Sequence, residues 1–419
     1  MAKVIIIGAG FAGINAAKKL GGQKDIEVTL IDRRNHHLFQ PLLYQVAMAG
    51  LSPADIAVPI RNLFSKYKNI KVLQGTVTEI DHKSKKVISS AGDLDYDYLL
   101  VCCGANNFYF GNDCWEKYAP GLKTLHEATD IRKRVLKAFE LAEAETDPVK
   151  RKALMTFVIV GGGPTGVELA GAIGEMSRYT LTKDFKNIDS KQTRIMLIEA
   201  GDRVLSVFDP KLSSYAAREL EKLGVQIWNN SRVSEINENG VRLGDETINA
   251  ATVLWAAGVR PSALVSCLPG EKDRGGRIIV NEDLSLPDAP DIYAAGDIVH
   301  FKVGDTTLPG LAPVAKQQGE YFAKLVKAKQ KGKEIKGFQY FDKGSMATIG
   351  RSRAVLQTGT IKMTGFIAWL AWIFVHIFYL TGFKNKVFVV LQWAWSYLSY
   401  KRGSRLIVEK ENDNFSQKQ

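Results

Sequence analysis

Two glycine clusters are the strongest chemical signal in this sequence. The first reads Gly8-Ala9-Gly10-Phe11-Ala12-Gly13 and the second Gly161-Gly162-Gly163-Pro164-Thr165-Gly166. In such a turn the first glycine (Gly8, Gly161) permits a tight bend. The second (Gly10, Gly163) lets backbone approach a pyrophosphate, and the third (Gly13, Gly166) lets helix and strand pack closely. The helix that opens there aims free N–H groups and a positive dipole end at the phosphates. An acid about 20 residues on completes the pattern by accepting hydrogen bonds from a ribose. Asp32 holds that place after the first cluster, and Glu199 closes the second strand of the second cluster.

The elements that position these residues follow from the pattern of apolar residues. Val4 to Ile7 are apolar without alternation, as in a strand buried on both faces of a parallel sheet. A helix through Ala16 and Leu20 and a strand EVTLID follow, which makes a βαβ unit. Residues 59–80 read as a helix and a strand, and 94–104 as another apolar strand. TFVIVGGGPTGVELAG (156–171) and TRIMLIEAG (193–201) then repeat the first unit, with residues 175–192 as an insertion. Residues 213–223 read as helix, 225–255 as strands with turns such as Asn239-Gly240, and a further helix starts near 313. The chain therefore holds two copies of one architecture. Two dinucleotide sites imply two dinucleotides, and the economical pair is FAD and NAD(P)H. An acid at Glu199 favours a free 2′-hydroxyl and repels a 2′-phosphate, so NADH is expected over NADPH. Arg203, close by, is the one residue that argues otherwise.

A chain of 419 residues is too long for one ordinary core and implies two or three domains. Its net charge of +12 suits anionic partners: nucleotides, lipid head groups or nucleic acid. Cys102, Cys103, Cys114 and Cys267 make no CxxC pair and no zinc spacing, so no metal site is expected. Cys102 and Cys103 lie in the run LLVCCG and read as buried strand residues. With no disulfide framework, a reducing compartment fits. The N-terminal apolar run is short and enters the glycines directly. It reads as a strand rather than an export signal, which keeps the catalytic body inside the cell. The Lys-rich stretch 324–336 reads as a solvated helix face.

GAGFAG at the start, GGGPTGVELAG in the middle and Tyr293-Ala294-Ala295-Gly296-Asp297 late in the chain resemble the two-dinucleotide flavoprotein family. The resemblance implies FAD at the N-terminal site and the late Gly-Asp, and the nicotinamide cofactor at the middle site. It carries FAD to Gly8, Gly10, Phe11, Ala12, Gly13, Asp32, Arg33, Gly296, Asp297 and Ala315. Val77 would touch the adenine through its backbone, and Gly104 ends the third strand of that domain. NADH falls to Gly161, Gly163, Pro164, Thr165, Gly166, Glu199 and Gly258. Within the family, HHLFQPLLYQVA (36–47), WAAGVRP (255–261), LPGLAPVAKQQG (308–319) and the aromatic C-terminal segment resemble the type II NADH dehydrogenases, which pump no protons. That likeness implies a hydride passed from NADH to FAD and two electrons passed to a membrane quinone, menaquinone or ubiquinone. Gln317 and Gln318 would lie beside the isoalloxazine and the quinone. Pro313 stands where some members have Gln, so no quinone contact is assigned there.

Glu168, just past the second glycine turn, matches a family Glu tied to nicotinamide positioning and to proton supply. The other reading is an acid complementing a helix N-terminus. His36 and His37 suit either a role near FAD or a structural hydrogen bond, and His376 suits packing or a quinone tunnel. The positions of the cysteines disfavour a sulfide:quinone oxidoreductase and a disulfide reductase. The second aromatic stretch disfavours a flavin-containing protein that holds nucleic acid, and no nucleic acid is expected as a partner.

That C-terminal region changes character. Phe366–Leu380 and Val387–Tyr400 are both apolar and aromatic, yet shorter than the roughly 20 residues a spanning helix needs. Gln392, Ser396 and Ser399 form a polar stripe on the second, opposite Val389, Val390, Trp393 and Tyr397. Trp369, Trp372, Trp393 and Trp395 suit a membrane interface, and Lys384, Lys386, Lys401, Arg402 and Arg405 suit an anionic membrane surface. A monotopic anchor at the cytoplasmic face of the cell membrane is expected. A dimer interface is the other use of such a surface, and a homodimer stays open. The expected fold is α/β: two Rossmann-type domains, the FAD domain split around an inserted NADH domain, plus a C-terminal helical membrane-anchoring region. The segments are FAD domain 1–120 and 285–340, NADH domain 121–284 with flanking helices, membrane association 341–405 and a tail 406–419.

Overall fold

The computed structural model describes residues 1–399 and 403–408. Tyr400, Lys401, Arg402 and the tail beyond Val408 lie outside the described residues. The chain divides into two units. One holds Met1–Leu38, Ala57–Asn106 and Val259–Lys343, and the other holds Phe39–Ile56, Asn107–Gly258 and the chain from Gly344 on.

In the first unit the strand Ala2–Ile7 pairs in parallel with Ile26–Asp32 on one side and Tyr98–Val101 on the other. Ile70–Gln74 extends one edge, and Ala289–Ala294 with the antiparallel Ser285–Leu286 extends the other. Val4, Ile6, Val28, Leu30 and Leu100 pack with the helices Phe11–Leu20 and Ala312–Lys329. Ile5, Ile7, Ile31, Leu99 and Val101 build the core on the opposite face. Burial on both faces is why these strands carry no polar alternation. The neighbours of the central strand lie on opposite sides, so the sheet reverses its winding there. That leaves a crevice at the carboxyl ends of the strands, where open α/β sheets bind ligands.

The second unit repeats the plan. Thr156–Val160 pairs in parallel with Arg194–Ile198 and Thr252–Trp255, and Val225–Trp228 lies beyond the former. Val158 faces Met196 and Val253 as Val4 in the first unit faces Val28 and Tyr98. The duplication is therefore one of strand order and not only of motif. The helix expected over 213–223 begins at Pro210. Asp209 caps it by accepting the Lys211 N–H at 2.9 Å, and Pro210 fills a first-turn position that needs no N–H.

A three-stranded antiparallel sheet, Ser345–Gly350, Arg353–Thr358 and Ile361–Thr364, belongs to this unit too. It lies so close to the helix Pro164–Glu175 that a Cβ on Gly171 would stand 1.8 Å from the Ile349 carbonyl oxygen. Two aromatic helices follow, Gly365–Tyr379 and Phe383–Ser399. Among the described residues no helix is long and apolar enough to cross a membrane.

The last helix corrects the sequence reading of its faces. The polar stripe turns inward: Gln392 and Ser396 are partly buried, and the Gln392 Oε1 is shielded from solvent. Val389, expected on the opposite apolar face, is fully buried. Trp393 Nε1 donates to Gln45 Oε1 at 2.7 Å, a partner 348 residues earlier that helical spacing cannot reveal. Val387, Phe388, Val390, Leu391, Trp395 and Leu398 are exposed instead. On the preceding helix Ala368, Trp372 and His376 are buried, while Ile367, Leu370, Phe374 and Phe378 face outward.

The close approach of the Ala312–Lys329 helix to the first helix generates a stability test. A Cβ on Gly319 would stand 2.1 Å from the Ala12 carbonyl oxygen, whereas one on Gly10 would meet nothing within 4 Å. Gly319→Ala is expected to cost about 2 kcal/mol or more, read as a melting temperature several degrees lower. Gly10→Ala should leave the melting temperature of cofactor-free protein nearly unchanged. Equal melts for the two variants would overturn the packing argument.

Candidate functional site

Each glycine turn leaves the central strand of its own sheet, at the reversal of winding. Gly8 has φ +105°, and a Cβ there would stand 2.5 Å from the Cys102 carbonyl oxygen. A Cβ on Gly13 would lie 1.9 Å from the Gly8 carbonyl oxygen, so helix and strand touch backbone to backbone. Gly10 caps the helix opened by Phe11 and the buried Ala12, and the space beside it is open. Asp32 closes its strand with both carboxylate oxygens engaged. Oδ2 accepts the Ala9 N–H and Oδ1 the Arg34 N–H, each at 2.7 Å. Arg33 is exposed just beyond.

Other residues of the first unit border this turn or the same end of the sheet. Gly104 has φ +69° with open space at its Cβ position, and its carbonyl accepts the Ser262 N–H at 3.0 Å. Val77 is partly exposed at the start of the strand Val77–Asp81. Gly296, at φ +81°, donates its N–H to Gln318 Oε1 at 2.7 Å, and a Cβ there would meet the Ala315 methyl at 3.5 Å. The Asp297 carboxylate lies beside Gly310, where a Cβ would come within 3.2 Å of Oδ1.

The two glutamines expected side by side part company. Gln318 is 1% exposed and joins the Gly296 turn. Gln317 exchanges two hydrogen bonds with the Phe341 backbone, donating to its carbonyl and accepting its N–H at 3.0 Å each. Neighbours on one helix point about 100° apart, and each has found a different backbone partner.

His37 is a structural hydrogen-bonder with one atom to spare. Its Nδ1 lies 2.9 Å from the Ala9 carbonyl oxygen, so Nδ1 carries the proton and Nε2 is left as an acceptor. Nε2 is buried without a protein partner, and the ring stands edge-on to Phe11 at 5.4 Å. Burial holds this imidazole down at about 4, which keeps it neutral. The open space at Gly10 and Gly104, the carboxylates of Asp32 and Asp297 and this orphaned acceptor fit a dinucleotide with hydroxyl donors.

In the second unit the same grip recurs. Gly161 has φ +109° with the Ala256 backbone 2.6 Å from its Cβ position. A Cβ on Gly166 would lie 1.8 Å from the Gly161 carbonyl oxygen, and Gly163 faces open space. Pro164 fills the first helical position and Thr165 is partly buried after it. Glu199 Oε2 accepts the Gly162 N–H and Oε1 the Gly201 N–H, both at 2.6 Å. Gly258 accepts the Phe108 N–H at 3.1 Å beyond the strand Thr252–Trp255. Sequence reasoning missed Gly201. The signal was available, since Gly201 stands two residues after Glu199 as Arg34 does after Asp32.

Glu168 lies one turn into the Pro164–Glu175 helix and is partly exposed as a residue, although its carboxyl is enclosed by protein. Burial pushes its carboxyl up to about 8, outweighing a hydrogen bond accepted from the Thr348 N–H. The thiols are quiet. The Cys102 Sγ donates to the Gly8 carbonyl at 3.3 Å, and burial pushes it well up, with Cys103 pushed up to about 11. Neither thiol supplies the thiolate that disulfide chemistry needs at neutral pH.

In the C-terminal helices His376 lies stacked on Trp372 at 4.1 Å, and its Nδ1 donates to the Trp372 carbonyl at 2.7 Å. Burial brings it down to about 4, and the geometry is that of packing. Of the cations expected to face head groups, Arg405 pairs with Asp184, and Lys386 donates to the Phe378 carbonyl at 2.7 Å. Lys384 is exposed.

Comparison with known proteins concerns the family and the fold. Residues 2–319 match the pyridine nucleotide-disulphide oxidoreductase family. A type II NADH:quinone oxidoreductase of Mycobacterium tuberculosis is 43% identical, over 98% of this chain and 91% of its own length. One from Staphylococcus haemolyticus is 30% identical over 83% and 87%. Among solved structures, NDH2 from Plasmodium falciparum in complex with NADH superposes with a TM-score of 0.86 at 22% identity, covering 97% of this chain and 100% of that one. The sulfide:quinone oxidoreductase of Aquifex aeolicus reaches 0.74 at 18% identity, over 99% and 94%. At such identities these two likenesses concern the fold alone.

The Glu168 environment makes a pH prediction. Its folded-state carboxyl is raised to about 8, so the folded chain holds a proton that the unfolded chain releases above about 4.5. Stability from this group is complete below that range and is lost as pH rises through about 8, with a slope of up to about 1.4 kcal/mol per pH unit. Glu168→Gln should flatten that slope between pH 5 and 8 in urea titrations. Parallel curves for wild type and variant would refute it.

Proposed function

The chain belongs to the type II NADH:quinone oxidoreductases within the pyridine nucleotide-disulphide oxidoreductase family, and from that premise we propose how its own residues carry the reaction. The enzyme moves a hydride from NADH to FAD and two electrons onward to a quinone, without pumping protons. The observation that carries the residue assignment is the repeated grip. An acid at the end of the second strand is fastened to the backbone of the glycine turn in both units.

FAD, when bound, supplies the two-electron chemistry. The first glycine turn, with Gly10 at its open point, binds the FAD pyrophosphate, and Asp32 takes a ribose. Asp297 takes the ribityl chain, and Gln318 sets the Gly296 backbone beside it. Gly163 and the N-terminus of the Pro164–Glu175 helix bind the NADH pyrophosphate, while Glu199 takes the adenosine ribose. Glu168 remains largely protonated at neutral pH because burial raises its carboxyl. Its Oε–H is therefore a proton source for the quinone, which takes up two protons with its two electrons.

The outward apolar faces of the two C-terminal helices support a monotopic attachment to the membrane surface. Phe374 is 71% exposed and Leu398 80%, an exposure that water disfavours and an acyl-chain boundary accepts. The free cysteines support placing the catalytic body on the cytoplasmic face.

Stopped-flow absorbance on the purified holoenzyme tests the reaction. NADH should bleach the flavin band under anaerobic conditions, and a soluble quinone should restore it. Bleaching without return would reject a quinone as acceptor. Glu168→Gln should slow the return about tenfold or more at pH 7 while sparing the initial bleaching relative to it. Loss of both phases in equal measure would reject the proton-source role. For the attachment, Phe374→Glu with Leu398→Glu should cut cosedimentation with liposomes containing anionic lipid severalfold. Unchanged cosedimentation would place the membrane contact elsewhere.

A further inference from the structure

The turn after Glu199 also holds a cation. Glu199 is wedged between two glycines: a Cβ on Gly162 would come within 2.9 Å of Oε2, and one on Gly201 within 3.1 Å of Oε1. The carboxylate is therefore fixed by both shape and hydrogen bonds. Arg203 follows four residues later. Its turn is stitched onto the glycine turn, because the Leu205 N–H donates to the Gly162 carbonyl at 2.7 Å. The guanidinium is folded back along its own turn. Nη1 lies 3.3 Å from Asp202 Oδ2, and Nη2 donates to the Ser206 carbonyl at 2.9 Å. Its Nε is buried with no partner. A buried N–H without an acceptor is costly, and an anionic oxygen reaching it would recover that cost.

We propose that Arg203 is a held-back receptor for a 2′-phosphate, and that Asp202, by holding its guanidinium, reinforces the choice of NADH that an acid in the place of Glu199 makes in sites of this build. The inference rests on the reading that the second glycine turn binds the nicotinamide dinucleotide. In dinucleotide sites of this build, an acid selects the 2′-hydroxyl and a nearby arginine accommodates the 2′-phosphate. This turn contains both, in a state that favours the acid. Glu199 and Asp202 contribute −2 and Arg203 +1, leaving −1 to face an incoming phosphate. Neutralising both acids leaves +1 and releases the Asp202 hold on Nη1, so that the guanidinium can turn its donors to phosphate oxygens. Asp202 is thus a positioning residue that acts through Arg203. The Asp202 side chain is 71% exposed, so its hold on Arg203 is weak and easily released.

The test uses the full chain loaded with FAD, with kcat/KM for NADPH and NADH measured against a soluble quinone. Glu199→Gln should raise the NADPH-to-NADH ratio roughly tenfold and Asp202→Asn about threefold, and together by more. Adding Arg203→Met to the double variant should remove most of the gain, through KM rather than kcat. It should also flatten the salt dependence of the NADPH KM. Calorimetric binding of 2′,5′-ADP against 5′-AMP gives a readout independent of turnover and should follow the same order. A ratio that does not rise in the double variant overturns the proposal. So does a gain that survives Arg203→Met. If Glu199→Gln leaves the NADH KM unmoved, the site assignment itself fails and the inference falls with it. Melting temperature and flavin content establish that each variant is folded.

Discussion

A carboxylate fastened to two backbone N–H groups, one of them in a glycine turn, is the constraint on which both halves of this enzyme depend. The acid must end the second strand, the glycine turn must leave the first, and the two strands must be parallel neighbours for the distances to close. Asp32 on Ala9 and Arg34, and Glu199 on Gly162 and Gly201, meet all three conditions. The turn cannot relax away from the acid, because Gly13 and Gly166 lock the helix against the turn's own carbonyl. A nucleotide therefore meets a site already shaped, and little of its binding energy goes into ordering the chain.

The same physics explains what was legible beforehand. Glycines with positive φ, apolar runs and a strand-ending acid are local signals, and each fell where the sequence pattern placed it. The parallel pairing of the first two strands in each unit followed because a βαβ unit allows few alternatives. What could not be read were contacts made across long separations. Nothing near Glu168 in sequence points to Thr348, whose N–H it accepts, nor does anything near Trp393 point to Gln45. The inward turn of the Gln392 stripe is the clearest case. Its helix is amphipathic by spacing, but which face meets protein was decided by a segment at the other end of the chain.

Burial also sorts the titratable groups by use. His37, His376, Cys102 and Cys103 are all held in their neutral forms, and each donates to, or lies against, backbone. They serve architecture, His37 with one acceptor to spare beside the first glycine turn. Glu168 is also held neutral, but at a value close to physiological pH, where a proton is both retained and releasable. The thiol pair beside the first glycine turn is thereby separated from the disulfide chemistry for which the wider family is named.

The hydrogen bond from Trp393 to Gln45 has a consequence for the order in which the molecule can be made. Trp393 leaves the ribosome 348 residues after Gln45. The segment around Leu43–Ala47 must stay incomplete until then, since its partner does not yet exist. Contacts of such separation form late and slowly, and they leave apolar surface exposed in the interval. The last helix is then both the closing piece of the second unit and the element whose outer face is apolar. Completion of this contact and the appearance of that apolar surface are therefore a single, late event.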